Sequence, residues 1–190
     1  GGDRKGEGDR EARAVHVTIQ FITTNAGKFA EVADKLAQAN IKLTHLDRGY
    51  PEIQTDRLEK VLKFAATGLD DEVKGDYLID DSGLFIESLG GFPGVYSSYV
   101  QKRLGNAGGL KLMVGETYRA ATFQTVFLLR QGDEHEVFHG DCVGTITETE
   151  RGKGGFGYDP IFLPKGETRT FGEMSLKEKN AISHRARAVD

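Results

Sequence analysis

Near its C-terminus the chain gathers a lysine, a histidine and an arginine in Glu178-Lys179-Asn180-Ala181-Ile182-Ser183-His184-Arg185. Far upstream, Thr23-Thr24-Asn25-Ala26-Gly27-Lys28 opens a helix directly after a strand. A helix N-terminus leaves backbone N–H groups unpaired and carries partial positive charge, so it favours phosphate. Lys28 adds a full positive charge where acidic residues ordinarily stabilise a helix, a misfit that points to a ligand. The plainer alternative is capping by Thr24 or Asn25 with Lys28 in solvent. The G-x-x-x-x-G-K-[ST] pattern of a P-loop is absent. Between these cationic ends lies Asp80-Asp81-Ser82-Gly83. Neighbours on a strand point to opposite faces, so one aspartate is expected to face a site while the other caps or pairs. A carboxylate there could hold Mg²⁺ or orient water, and the alternative is a solvated turn. Glu52, after Pro51, is a second candidate carboxylate. Donors at both ends with acid between them read as a nucleoside triphosphate site with a metal.

The run Gly152-Lys153-Gly154-Gly155-Phe156-Gly157 formally matches G-x-G-x-x-G. A dinucleotide fingerprint needs a helix immediately after it, and Tyr158-Asp159-Pro160 follows instead. Here Phe156 or Tyr158 could stack on a base and Asp159 could accept a base N–H; a hairpin turn with core aromatics is the alternative. In one continuous helix Lys179, His184 and Arg185 would point apart, at about 100° per residue. They converge only if the helix breaks, with Ser183 capping a new helix from His184. His135, His139 and Cys142 fit no standard zinc spacing and read as structural.

The elements that must position these groups follow from periodicity. Val15, Val17, Ile19 and Phe21 alternate as a strand, and Phe29, Val32, Ala33 and Leu36 mark one helix face. A short strand is expected at 43–46 and an amphipathic helix from Leu58 to about Gly68. An apolar strand at 77–79 runs into Asp80, with a turn at Ser82-Gly83 before 84–86 continues. Residues 90–94 read as a loop, 104–114 as a glycine-weakened helix, and 120–129 with 136–147 as paired antiparallel strands. A short strand is expected at 161–163. Ser175 and Glu178 form a capping box, which starts a helix at about Leu176. The class is α/β with a mixed sheet.

The 190 residues fit a single domain over 14–190, with residues 1–13 a disordered leader or an expression remnant. A net charge of −4 gives no electrostatic case for a nucleic-acid binder. No apolar stretch approaches the roughly 20 residues that span a bilayer, so no membrane partner is expected. The single cysteine cannot form an internal disulfide, and a reducing, cytoplasmic setting is the simplest reading.

Four blocks together resemble the inosine triphosphate pyrophosphatases, which clear non-standard purine nucleotides. They are residues 23–28, Asp80-Asp81-Ser82-Gly83 with Gly91-Phe92-Pro93-Gly94-Val95-Tyr96-Ser97, Gly155-Phe156-Gly157-Tyr158-Asp159-Pro160, and Glu173-Met174 with residues 178–185. Pro51-Glu52-Ile53-Gln54 looks most like the archaeal members. The resemblance implies hydrolysis of ITP, dITP and XTP to monophosphate and pyrophosphate with Mg²⁺. It also implies a homodimer and an elongated mixed sheet with flanking helices forming two lobes around a central cleft. Residues 23–28 (Thr23, Thr24, Asn25, Ala26, Gly27 and Lys28) would hold the phosphates. Glu52 and Asp81 would be the metal carboxylates, with Asp81 the general base. Ser82 would contact substrate, and Phe156, Gly157, Tyr158, Asp159, Lys179, His184 and Arg185 would form the base pocket. The family's further substrate lysine aligns with neither Lys60 nor Lys63 unambiguously, and its last helix usually extends beyond Ser-His-Arg. The other readings are a nucleotide sensor without catalysis and a pyrophosphatase for modified pyrimidine nucleotides.

Overall fold

The computed structural model describes residues 17–189. The expected leader at 1–13 and Val15 lie outside them. In chain order the strands are β1 (Val17–Ile22), β2 (Ile41–Leu46), β3 (Tyr77–Ile86), β4 (Pro93–Gly94), β5 (Ala120–Gln131), β6 (Glu134–Ile146) and β7 (Phe162–Pro164). The helices are α1 (Ala26–Ala37), α2 (Leu58–Glu72), α3 (Ser97–Leu112), α4 (Leu176–Ile182) and α5 (His184–Val189). The strands form one mixed sheet in the order β2-β1-β3-β5-β6-β7, with β4 added beside β3. β1 is parallel to β2 and β3, whereas β5 and β6 pair antiparallel. The mixed α/β reading therefore holds.

β3 is the pivot of the sheet. Its first residues, Tyr77 and Leu78, pair with β1, and Leu84 and Phe85 pair with β4 on the same side. Its other edge pairs with β5 from Tyr77 to Ile86 without interruption. Ile79, Val126 and Leu128 join the α2 face in one core, while Leu84, Ile86 and Phe123 join a second core with Phe162 and Phe171. A third core lies under α1 and α5, built on Phe21, Val32, Phe127 and Ala188. Asp80 to Gly83 thus lie where β3 passes from one core to the next.

The structure corrects three expectations. No turn breaks β3 at Ser82-Gly83. A Cβ on Gly83 would stand 2.4 Å from the carbonyl oxygen of Gly94, so glycine is needed there for the close approach of β4. α2 continues to Glu72, because Leu69 extends the buried stripe of Leu58, Val61, Leu62, Ala65 and Ala66. Each buried leucine or valine in that stripe contributes roughly 1.5–3 kcal/mol. α3 begins at Ser97, well before Leu104, and is interrupted at Gly105 (φ 64°, ψ −175°). Its apolar pattern is weak because the start is fixed by polar bonds. The Ser97 hydroxyl accepts from the Leu84 amide at 2.8 Å and donates to the Gly94 carbonyl at 2.6 Å.

The break in the C-terminal helix is present. Ser183 has an extended backbone (φ −68°, ψ 160°), and its hydroxyl accepts from the Ala186 amide at 3.1 Å. The Ser175–Glu178 capping box starts α4 as expected. α5 then lies across β6 at Gly140, where a Cβ would stand 2.2 Å from the His184 carbonyl oxygen and 2.3 Å from the Ala188 nitrogen. Both atoms are backbone and cannot rotate away. Gly140→Ala is therefore expected to destabilise the protein by about 1–3 kcal/mol or to lift α5 from the sheet. Urea denaturation checks this; a loss below about 0.5 kcal/mol would contradict it.

Candidate active site

A cavity of about 870 Å³ opens between the loops after β1 and β2, the middle of β3, the start of α3, the 156–159 loop and the start of α5. At one wall Asn25 caps α1, its Oδ1 accepting from the Lys28 amide at 3.0 Å. Thr23 Oγ1 accepts from the Asn25 amide at 3.0 Å, and the Thr23 carbonyl is bonded to His45 Nε2 at 2.8 Å. His45 in turn stacks on Phe29. Capping is thus real, yet Lys28 is not left in solvent. Its ammonium lies 3.1 Å from Asp80 Oδ2, and Lys28 lines the cavity. Thr23, Thr24, Asn25 and Ala26 line it too, whereas Gly27 does not.

Asp80 and Asp81 both line the cavity, which corrects the expectation that only one of them faces a site; they differ in their partners. Asp80 is buried against Lys28, with Arg185 Nε at 3.9 Å. Asp81 lines the cavity with Glu52 and Ser82, and its Oδ1 accepts from the Ser82 amide at 3.1 Å. Burial pushes the Asp81 carboxyl up to about 8; Lys28 opposes this, and Glu52 and Asp80 add to it. Carboxylates are gathered here with more negative charge than their neighbours neutralise, which is the chemistry a divalent cation satisfies. Among the described residues no group of three or more His, Cys, Asp or Glu could hold a metal. Two carboxylates fit Mg²⁺, which keeps several waters and shares its remaining positions with substrate phosphates. Tyr50 ties the Glu52 loop to this strand, its hydroxyl donating to the Asp80 carbonyl at 2.6 Å.

The remaining wall is a buried chain of alternating charge. Lys179 is 2 % exposed and donates both to Glu31 and to Asp159 Oδ2, the latter at 2.6 Å. Arg185 donates to the other Glu31 oxygen at 3.0 Å. Asp159 Oδ2 also accepts from the Phe156 amide at 3.0 Å, closing the 156–159 loop. Lys179 is 4.6 Å and Arg185 4.9 Å from the centre of the half-buried Phe156 ring. Tyr158 is buried and its hydroxyl donates to the Ser97 carbonyl at 2.7 Å, so Tyr158 anchors the loop and Phe156 presents the ring. Phe156, Gly157, Tyr158, Asp159, His184 and Arg185 line the cavity, while Lys179 stands behind them.

His184 is 1 % exposed, stacks on Phe123 at 4.6 Å between ring centres, and among the described residues has no hydrogen-bond partner for either ring nitrogen. Arg185 Nε likewise has no hydrogen-bond partner among the described residues, its nearest counter-charge being Asp80 Oδ2 at 3.9 Å. Buried polar groups are ordinarily hydrogen-bonded, so orphans on a cavity wall indicate a ligand. A model of the Ham1 family matches residues 19–190.

The chain belongs to the Ham1 family.

It is 47% identical over 171 residues to a dITP/XTP pyrophosphatase of Thermococcus kodakarensis, covering 90% of this chain and 92% of that protein. It is 49% identical over 173 residues to a dITP/XTP pyrophosphatase of Methanosarcina mazei, covering 90% of this chain and 93% of that protein. Among solved structures, a HAM1 protein from Coxiella burnetii matches with a TM-score of 0.75 at 30% identity, covering 90% of this chain and 94% of that one. A nucleoside-triphosphatase / dITP/XTP pyrophosphatase from Mycobacterium abscessus matches with a TM-score of 0.68 at 30% identity, covering 90% and 96%. The resemblance to archaeal members is borne out.

Within this Ham1 site, several residues escaped sequence reasoning. Glu31 joins Lys179 to Arg185, but nothing in its local sequence distinguishes it from any helix acid. Thr125, bonded to Ser82 through the hydroxyls at 2.6 Å, becomes visible only once the β3–β5 register sets them opposite. Lys60 and Lys63 do not line the cavity, whereas Arg48 and Lys102 do.

Burial, followed by the Arg185, Lys179 and Lys28 charges, holds His184 well below its usual value. Below about pH 6.5 the unfolded chain takes up a proton that native His184 refuses, so stability falls as pH falls. The slope from this residue reaches about 1.4 kcal/mol per pH unit. In urea, wild type should lose about 1.4 kcal/mol more than His184→Asn in total between pH 7.5 and 5.5. Parallel pH profiles would contradict it.

Proposed function

We propose that this chain hydrolyses non-standard purine nucleoside triphosphates (ITP, dITP and XTP) to the monophosphate and pyrophosphate. The observation that carries the reading is one cavity shared by uncompensated carboxylates, Asp81 and Glu52, and donors with no hydrogen-bond partner among the described residues, Arg185 Nε and His184. The printed activities of the archaeal relatives agree with it.

Glu52 and Asp81 would hold Mg²⁺, which supplies positive charge against the triphosphate and its leaving pyrophosphate. The backbone N–H groups opening α1 and the Lys28 ammonium bind phosphate oxygens. Asp81, which a bound cation and Lys28 would keep ionised, orients water toward the α-phosphorus and takes its proton. Phe156 stacks on the base. Arg185 can only donate hydrogen bonds, so it pairs with the carbonyl at purine position 6 and leaves the amine of adenine unpaired. Such a mispair costs roughly 1–3 kcal/mol, or about one to two decades of selectivity. Neutral His184 can donate or accept and serves orientation.

The same proposal includes a homodimer and a cytoplasmic setting. Supporting a dimer is an exposed apolar band on and around α3, formed by Phe92, Tyr96, Tyr99, Leu104, Leu112 and Tyr118. Sedimentation should give twice the chain mass, and Tyr99→Lys should lower it; a wild-type monomer at micromolar concentration would refute the dimer. Among the described residues no helix is long and apolar enough to cross a membrane. Cys142 is buried with its thiol pushed up to about 11 by burial, as befits an inert cysteine.

The test is pyrophosphate release from ITP, XTP, GTP, ATP and dTTP with Mg²⁺. Fast release from ITP and XTP, with ATP at least about tenfold slower, is expected. Equal turnover of ATP and ITP would end the base reading, and tight ITP binding without release would make the protein a sensor.

A further inference from the structure

Two amides of α3, the buried Asn106 and the half-buried Gln101 that also lines the cavity, converge on one carbonyl. Gln101 Nε2 donates to the Gly157 carbonyl at 3.2 Å and Asn106 Nδ2 donates to the same oxygen at 3.0 Å. In an unbroken helix side chains five positions apart diverge by about 140°. The non-helical Gly105 between them removes that divergence, so the interruption of α3 is what lets both reach Gly157.

The amide oxygens, Gln101 Oε1 and Asn106 Oδ1, are buried and have no hydrogen-bond partner among the described residues. A buried orphan acceptor costs stability, so these amides are poor core fillers. The bond that each makes among the described residues is the one to Gly157. Gly157 has φ 59° and lies between Phe156 and Tyr158, and Tyr158 is held by the Ser97 carbonyl on the same helix. α3 thus fastens the loop at three points.

We infer that Gln101 and Asn106 are positioning residues for base selection. They set the height of the 156–159 loop, and with it the Phe156 ring that lies against the Arg185 guanidinium. The inference rests on the proposed purine reading, because its consequence is a change in ITP-over-ATP preference. The phosphate wall has anchors of its own, the Asn25 cap of α1 and the Lys28–Asp80 ion pair, and meets the loop where the Phe156 ring packs on Gly27, so it should change less than the base wall.

The experiment uses Gln101→Met and Asn106→Leu, near-isosteric changes that remove the donors, singly and together. For each, kcat and KM for ITP and ATP, inhibition by inorganic pyrophosphate, and amide hydrogen exchange across residues 155–159 are measured. Each lost bond is expected to lower the ITP:ATP ratio of kcat/KM about fivefold, mostly through the KM for ITP. Loop exchange should quicken while pyrophosphate inhibition changes less than about twofold. A wild-type ratio in the double variant, or unchanged loop exchange, would overturn the inference. Pyrophosphate inhibition weakening in parallel with ITP binding would also overturn it, as general loosening. If the double variant does not fold, Asn106→Leu alone decides, because Gln101 lines the cavity and Asn106 does not. A wild type that turns over ATP as fast as ITP rejects the purine reading by itself, before any variant is compared.

Discussion

Asp81→Asn is expected to lower pyrophosphate release from ITP by about a thousandfold or more, with the fold and ITP binding retained. The asparagine carbonyl can still accept from the Ser82 amide, as Asp81 Oδ1 does at 3.1 Å, so the strand need not move. What is lost is the negative charge and proton affinity of a carboxyl that burial has pushed up to about 8. An amide cannot take a proton from water and binds Mg²⁺ weakly. The measurements are single-turnover pyrophosphate release, ITP calorimetry and thermal unfolding with and without Mg²⁺. Mg²⁺ should raise the Tm of the wild type and leave that of Asp81→Asn nearly unchanged. Turnover within about tenfold of wild type would remove Asp81 from the reaction, since a positioned base contributes more than that.

The second large effect is on stability. Lys179→Met should destabilise the protein by about 3–5 kcal/mol, because it strips one ammonium from two buried carboxylates, Glu31 and Asp159. Glu31 keeps Arg185 at 3.0 Å, whereas Asp159 keeps the Phe156 amide alone at 3.0 Å. Burial already pushes Asp159 above the usual carboxylate value, with Lys179 opposing the shift. Without Lys179 the shift grows, so native Asp159 binds a proton more readily than the unfolded chain does. The sign of the pH dependence follows: the deficit of the variant should shrink as pH falls. Urea unfolding at two pH values checks both statements. A loss below about 1 kcal/mol, or a deficit that widens at low pH, would show that the chain of buried charge does not hold this wall.

Local sequence was a good guide wherever the interaction is local. Asn25 caps α1 and Ser175 with Glu178 caps α4, since a side chain bonds an amide three residues away. The break at Ser183 was legible for a different reason: an unbroken helix could not bring Lys179, His184 and Arg185 to one wall. Where the governing contact is distant, the reading failed. Ser82-Gly83 resembles a turn by composition, but β5 pairs through it and β4 presses on Gly83. The start of α3 was missed because Ser97 is fixed by Leu84 and Gly94, not by an apolar stripe.

Legible in the residues alone were the mixed α/β class, the starts of α1, α2 and α4, and the four ordered blocks that mark a Ham1 protein and its candidate site. Alternation along β3 suggested that one aspartate alone would face a site, yet both line the cavity. Only the tertiary structure decided that Asp80 is the one that pairs, with Lys28, and that Glu31 and not a solvent-facing group holds Lys179 and Arg185. It alone brought Gln101 and Asn106 to Gly157. The physical reason is range. Caps and turns are settled by groups a few residues apart, so they are written in the local sequence. A buried charge needs a counter-charge, and packing chooses which: Glu31 meets Lys179 across 148 positions of chain, a pairing that exists only once α1 and α4 are packed together.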